Sequence, residues 1–199
     1  MVWEENSRIC LHMQLIAILS RIGVKYVPFG SSNREERYKL KDSFCWFWLH
    51  FKENKNIKQE DYWQHHLKES ELTAWRGIAF EEVCLQHIRQ IKQALQIGGI
   101  SSMESAYIVR GEKDTEGLQI DLIIDRSDDV ANLCEMKYSK APYTITSSYA
   151  THLIQRKEAM EALFCDKTFL LTYIGSSPLA ENEYTDTFPC QVTLDGLFL

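Results

Sequence analysis

The chain has 199 residues, 45% of them hydrophobic, and a formal net charge of -6. That is enough apolar material for one ordinary domain plus a smaller appendage, and too acidic a balance for a protein that coats nucleic acid by electrostatics alone. No apolar run approaches the roughly 18 residues that cross a bilayer, and Glu4 and Glu5 stand where a secretory leader would be basic, so the expectation is a soluble, cytoplasmic protein with no membrane partner.

In chain order, Ile9, Met13, Ile16, Leu19 and Ile22 fall close to helical spacing and predict a short helix over 9–22. The period then changes. Val24–Phe29, the turn-prone Gly30-Ser31-Ser32-Asn33 and Arg37–Leu40 predict a two-stranded hairpin, with Pro28 confining the first strand to an edge. Asp42 or Ser43 is positioned to cap an aromatic-rich helix over Phe44–Phe51. Its rings read as packing between two domains rather than as a base-stacking platform, because the run holds no Lys or Arg for a phosphate.

The run Tyr26–Phe51 resembles the wing and exit helix of a family of bacterial and archaeal AAA-type ATPases, in which an ATPase domain and a winged helix precede a C-terminal nuclease-like domain. No Gly-x-x-x-x-Gly-Lys-Ser/Thr occurs in the chain. The chain is therefore not expected to hydrolyse ATP by that route, and the resemblance implies the C-terminal portion of a longer, ATPase-like protein or the product of a truncated gene, with the ATPase as a missing N-terminal domain or a separate partner.

Lys52–Glu71 is polar and without clear period, and reads as a linker or loosely packed helix. From Thr73 an apolar face through Trp75, Ile78, Ala79, Val83, Cys84, Ile88, Ile91 and Leu95 predicts one helix ending at Gly98-Gly99. Strands are expected over Ala106–Arg110, Gln119–Arg126 and Val130–Tyr138, then a helix over Ser147–Phe164, a strong strand over Thr168–Ile174 and an edge strand over Cys190–Leu194. The fold class is thus α/β, a mixed sheet flanked by helices, in the order helix, three strands, helix, strand. Three regions are expected: 1–52 as a partial winged-helix segment, 53–72 as a linker, and 73–199 as the main domain.

The six cysteines (Cys10, Cys45, Cys84, Cys134, Cys165, Cys190) have no zinc-ligand spacing and read as reduced, mostly buried thiols. The adjacent His65 and His66 point apart on a helix or a strand, and so read as surface residues. Charge is unevenly spread: residues 1–72 carry 11 Lys+Arg against 10 Asp+Glu, the remainder 11 against 18. A domain built around carboxylates would need help from the N-terminal segment or a partner to hold DNA.

Chemistry concentrates on the hairpin. Gln119–Arg126 and Val130–Lys137 are joined through Ser127-Asp128-Asp129, and pairing Arg126 with Val130 sets Asp121 opposite Glu135. Alternation puts Glu135 and Lys137 on one face. Two carboxylates held together repel unless a proton or cation intervenes. Mg2+ or Mn2+, with oxygen ligands, resolves that conflict and activates water for attack on a phosphate, while Lys137 orients or deprotonates that water.

Ile120-Asp121 followed by Glu135-Met136-Lys137 resembles the signature of PD-(D/E)XK nucleases, whose shared core has the element order found here. Trp75–Glu81 resembles the Gly-x-x-Phe-Glu helix of the ATPase-linked members, which implies that Glu81, rather than Glu82, turns toward the site as a further ligand. Gln119 resembles the polar residue often found two positions before the aspartate. The resemblance covers about 100 residues and implies a restriction-endonuclease-like fold, a DNA phosphodiesterase activity and, as in many relatives, a homodimer. Asp121, Glu135 and Glu81 would hold metal, and Lys137 would serve the water.

Three bland readings stand beside it: a solvated cross-strand ion pair for Asp121 and Glu135-x-Lys137, a solvent-exposed Asp125 near the turn, and an exposed helix face for Gln155, Arg156 and Lys157. Cys134 alternates to the opposite, core-facing side. No serine-hydrolase elbow, His-Glu-x-x-His or dinucleotide motif is present. A nuclease-like fold that binds nucleic acid or protein without cutting is the alternative function.

Overall fold

The protein is described by a computed structural model, in which residues 23–31, 37–51, 61, 70–109 and 117–198 are described. The expected helix over 9–22, Cys10, most of the 52–71 linker and the His65-His66 pair lie outside them. The chain divides into two units, Met1–Leu72 and Thr73–Leu199. Together they hold an α/β arrangement with a two-stranded sheet, a mixed five-stranded sheet and, among the described residues, four α-helices.

In the first unit β1 (Gly23–Tyr26) pairs antiparallel with β2 (Arg37–Leu40). Helix α1 (Ser43–Phe51) follows at once, capped by Asp42, whose Oδ1 accepts from the Cys45 N–H at 2.6 Å. Trp46 Nε1 donates to Leu40 O at 2.9 Å and ties the helix to the strand before it. Phe51 is buried, but Phe44, Trp48 and Leu49 are 72%, 56% and 52% exposed.

The expected single helix is two, α2 (Ser70–Gln86), whose first turn straddles the boundary between the units, and α3 (Ile88–Ala94) in the second unit. The break falls at His87, whose N–H is shared between Val83 O and Cys84 O and whose Nδ1 lies 2.8 Å from Val83 O. Nor do the glycines end the helix. Gln96 takes the left-handed conformation (φ 59), with Gln96 N–H bonded to Gln93 O and Ile97 N–H to Lys92 O, a Schellman closure made without glycine.

The five-stranded sheet has the order β3-β4-β5-β6-β7, with β3 (Ser102–Val109), β4 (Leu118–Arg126), β5 (Val130–Lys137), β6 (Thr168–Gly175) and β7 (Cys190–Thr193). The first three strands are antiparallel; β5, β6 and β7 are parallel. Parallel pairing demands a crossover, supplied by α4 (Ser147–Leu163), which Thr146 caps by accepting from the Tyr149 N–H at 3.3 Å. One sheet face packs Leu122, Ile124, Cys134, Met136, Ile174 and Val192 against Phe80, Cys84 and Ile91 of α2 and α3. The other face carries Leu133 and Leu171 toward Leu153 of α4. The central strands β5 and β6 are apolar on both faces, as expected of a sheet covered twice.

The five described cysteines are free thiols, and only Cys84 and Cys134 are buried, fewer than expected. Cys134 points into the core as alternation requires. Among the described residues no helix is long and apolar enough to cross a membrane.

Candidate active site

The β4–β5 hairpin pairs Leu122 with Cys134, Ile123 with Leu133, Ile124 with Asn132 and Asp125 with Ala131, the register set by the three-residue turn. Asp129 in that turn is left-handed (φ 62), the position that closes such a loop. The paired register ends at Leu122 and Cys134, one step short of Asp121 and Glu135.

Glu135 sits on the sheet face beneath α4, with 15% of its side chain exposed. Three donors meet it. Tyr149 Oη donates to Oε1 at 2.5 Å, Lys137 Nζ lies 2.7 Å from the same oxygen, and Arg156 Nη1 donates to Oε2 at 3.1 Å. Lys137 also lies over the Tyr149 ring, 5.2 Å from its centroid. Arg156 Nη2 donates to the Gln119 carbonyl, so one guanidinium spans β4 and β5. Burial raises the Glu135 pKa, but the charge and hydrogen bond of Lys137, the Tyr149 hydroxyl and the charge of Arg156 outweigh it and hold the carboxyl below its ordinary range. Burial first, then the Glu135 charge, pushes the Tyr149 phenol well up, which keeps it a donor.

The sequence shows why α4 can do this. Tyr149, Leu153 and Arg156 follow one another at helical spacing, and the buried Ala150, Leu153 and Met160 seat that side on the sheet. A recess with room for about one water lies among Ile120, Leu133, Glu135, Leu153, Arg156 and Leu171.

Asp121 behaves differently. Between Ser105 and Tyr107 the β3 partner moves from Ile123 to Ile120, so β4 holds one residue more than β3 over that step. This is a β-bulge, and it breaks the alternation on which a shared face for Asp121 and Glu135 rests. Ile120 lines the recess under α4, and Ile123 pairs with Leu133, which lines it too, so only two residues, not the odd number alternation demands, separate these side chains on one face. The Asp121 side chain is exposed, accepts from Gln119 Nε2 at 2.7 Å, and makes no hydrogen bond to Glu135, Lys137 or Arg156. Gln119 therefore does sit by the aspartate, as its position suggested.

Glu81 is half-buried on α2 while Glu82 is buried, at 8% exposed. Burial first, then the charge of Glu81, pushes the Cys84 thiol up to about 12. Among the described residues no group of three or more His, Cys, Asp or Glu side chains is arranged to hold a metal ion, so Asp121, Glu135 and Glu81 are not brought together as a set.

Of the other residues read from sequence, Lys157 pairs with Glu161 at 2.9 Å along the helix and Gln155 is exposed, as an outer face requires. Arg156 is the exception and belongs to the site. Asp125 is not solvent-facing but half-buried, accepting from Lys167 Nζ at 2.6 Å. Tyr149 was not singled out from sequence. Its signal was available in the seven-residue spacing to Arg156, two turns along the same helix stripe.

No protein-family model and no curated protein matches the sequence. Among solved structures, the "Crystal Structure of Protein of Unknown Function AF1548" is similar at a TM-score of 0.36 and 18% identity, over 50% of this chain and 50% of that one. The chain thus spans about half the length of that protein, and a likeness of this size carries no argument.

Proposed function

We propose that residues 73–199 form a restriction-endonuclease-like core of the PD-(D/E)XK type, and that the chain is a Mg2+- or Mn2+-dependent nuclease acting on the phosphodiester bonds of DNA. The observation that carries the proposal is Glu135 and Lys137 held together on one sheet face, 2.7 Å apart, on the strand next to Asp121. The element order, helices then three antiparallel strands, a crossover helix and a parallel strand, supports the same reading.

Asp121 and Glu135 lie on neighbouring strands and carry oxygens of the kind a hard cation takes, but they stand apart in this arrangement, and Asp121 would have to turn toward Glu135 to share an ion with it. Such a cation would supply charge stabilisation at the phosphorus oxygens and a more acidic water. The chain's own residues do the rest. Lys137 orients the attacking water through its ammonium group, Tyr149 fixes the Glu135 carboxyl, and Gln119 fixes Asp121. For Glu135 to serve, its contacts with Lys137 and Arg156 must loosen.

A second reading, a nuclease-like module that binds nucleic acid or an AAA-type ATPase without cutting, is favoured by one observation. Lys137 and Arg156 already neutralise Glu135, and Asp121 stands apart from the cluster. Plasmid digestion across a Mg2+ and Mn2+ titration, with Lys137→Ala beside the wild type, separates the two. The nuclease reading expects metal-dependent cleavage that drops by about 10²–10⁴-fold in the variant. Cleavage indifferent to Lys137→Ala would remove the assignment; metal binding with no cleavage would establish the second reading.

A further inference from the structure

We propose that the β1–β2 hairpin is a binding site for single-stranded nucleic acid, with Tyr38 as the platform on which a base stacks and Lys25 and Lys41 as contacts for its phosphates. This rests on the nucleic-acid reading above, in either of its two forms, and goes beyond it by naming the surface that grips. The charge balance calls for such a surface. Residues 73–199 carry 11 Lys+Arg against 18 Asp+Glu, whereas the described stretches 23–31 and 37–51 carry Lys25, Arg37, Lys39 and Lys41 against Asp42 alone. The Asp42 carboxylate is turned to helix α1, where it accepts from the Cys45 N–H at 2.6 Å.

The hairpin register sets the geometry. Lys25 pairs with Tyr38 directly across the two strands, so both side chains leave the same face with their Cβ atoms about 5 Å apart. Tyr38 is 56% exposed, and Lys25 is exposed beside it, as is Lys41 just beyond the end of β2. Ring and ammonium groups thus stand together, the combination that meets a base by its face and its phosphate by charge. The exposed rings of α1, by contrast, sit in a run without Lys or Arg. Leu40 O accepts from Trp46 Nε1 at 2.9 Å, which ties the strand carrying Tyr38 to α1 and leaves less to order on binding. A stacked base needs an open face, which a single strand offers along its length and a duplex only at its ends.

The test is the binding of a dye-labelled, mixed-sequence single-stranded DNA oligonucleotide to the full chain, read by fluorescence anisotropy in EDTA so that neither cleavage nor a metal ion contributes. Tyr38→Leu is expected to weaken binding by about 5- to 150-fold, the loss of one base stack, while Tyr38→Phe and Tyr38→Trp keep it. Should Tyr38→Leu not fold by circular dichroism, Tyr38→Thr, suited to an exposed strand, takes its place. Lys25→Gln and Lys41→Gln are each expected to make the slope of log affinity against log salt shallower by about 0.7, one phosphate contact of a single strand. That pattern supports the inference. Wild-type binding that Tyr38→Leu leaves unchanged overturns it while the nucleic-acid reading stands, and so does tighter binding to the matching duplex than to the single strand. Absence of wild-type binding overturns it as well; metal-dependent plasmid cleavage that persists would then keep the nuclease reading, and its loss would remove that reading too.

Discussion

A carboxylate under a helix is stable as an anion only if its oxygens are met, and Glu135 is met by two cations and a phenol. Because the folded state holds its pKa below the ordinary 4.5, the unfolded chain takes up the proton first as pH falls. The stabilisation from ionised Glu135 is therefore complete above about pH 4.5 and is lost as pH drops through the lower folded value. Glu135→Gln should destabilise by about 1–3 kcal/mol near neutrality, since Lys137 and Arg156 keep their charges without the acid. Urea unfolding of both proteins at about pH 7 and about pH 3 checks this. The gap should be narrower at the second than at the first, and a gap independent of pH would mean that the carboxylate charge contributes nothing.

At the scale of elements, what could be read from sequence divides along physical lines. The spans of β4, β5, β6 and α4 were legible because apolar runs and turn residues report local backbone preference, and the hairpin register was legible because a three-residue turn leaves little choice. The bulge at Asp121 was not: it exists only relative to β3, and no glycine or proline marks it in β4. The break at His87 was hidden for a similar reason, since Ile88 and Ile91 continue the apolar face across it. Glu135 and Lys137 could be found by motif, whereas spacing could give the shared stripe of Tyr149 and Arg156 but not that this stripe is the one meeting Glu135. Gly175, the β6 partner of Lys137, shows a constraint of the same non-local kind: a Cβ there would overlap the Tyr173 ring, which is fully buried, stacks on Tyr143 and donates to Ser177 O at 2.9 Å. Gly175→Ala should cost about 1–3 kcal/mol by overpacking, read as a lower urea midpoint at unchanged slope. A wild-type midpoint would show that the ring moves aside freely.

Over the whole molecule, the second unit has what a folding domain needs. Residues 73–199 include both layers that cover the five-stranded sheet, with the Phe80–Cys84–Ile91 side on one face and α4 on the other. Leu72, buried at 1% exposed, belongs to the first unit, so starting at Thr73 omits it and leaves a residue able to serve as helix N-cap. The fragment's excess of acidic over basic residues opposes compaction only weakly at physiological salt, because exposed charges are screened beyond about 8 Å. A chain of this size with its own two-sided core is in the range of domains that unfold in one cooperative step. Expressed alone, 73–199 should therefore give a single thermal transition seen alike by far- and near-ultraviolet circular dichroism, within a few degrees of the corresponding transition in the full chain. Far-ultraviolet signal without a cooperative near-ultraviolet change would mean that the first unit completes the core, and the boundary at Leu72 would then not be a folding boundary.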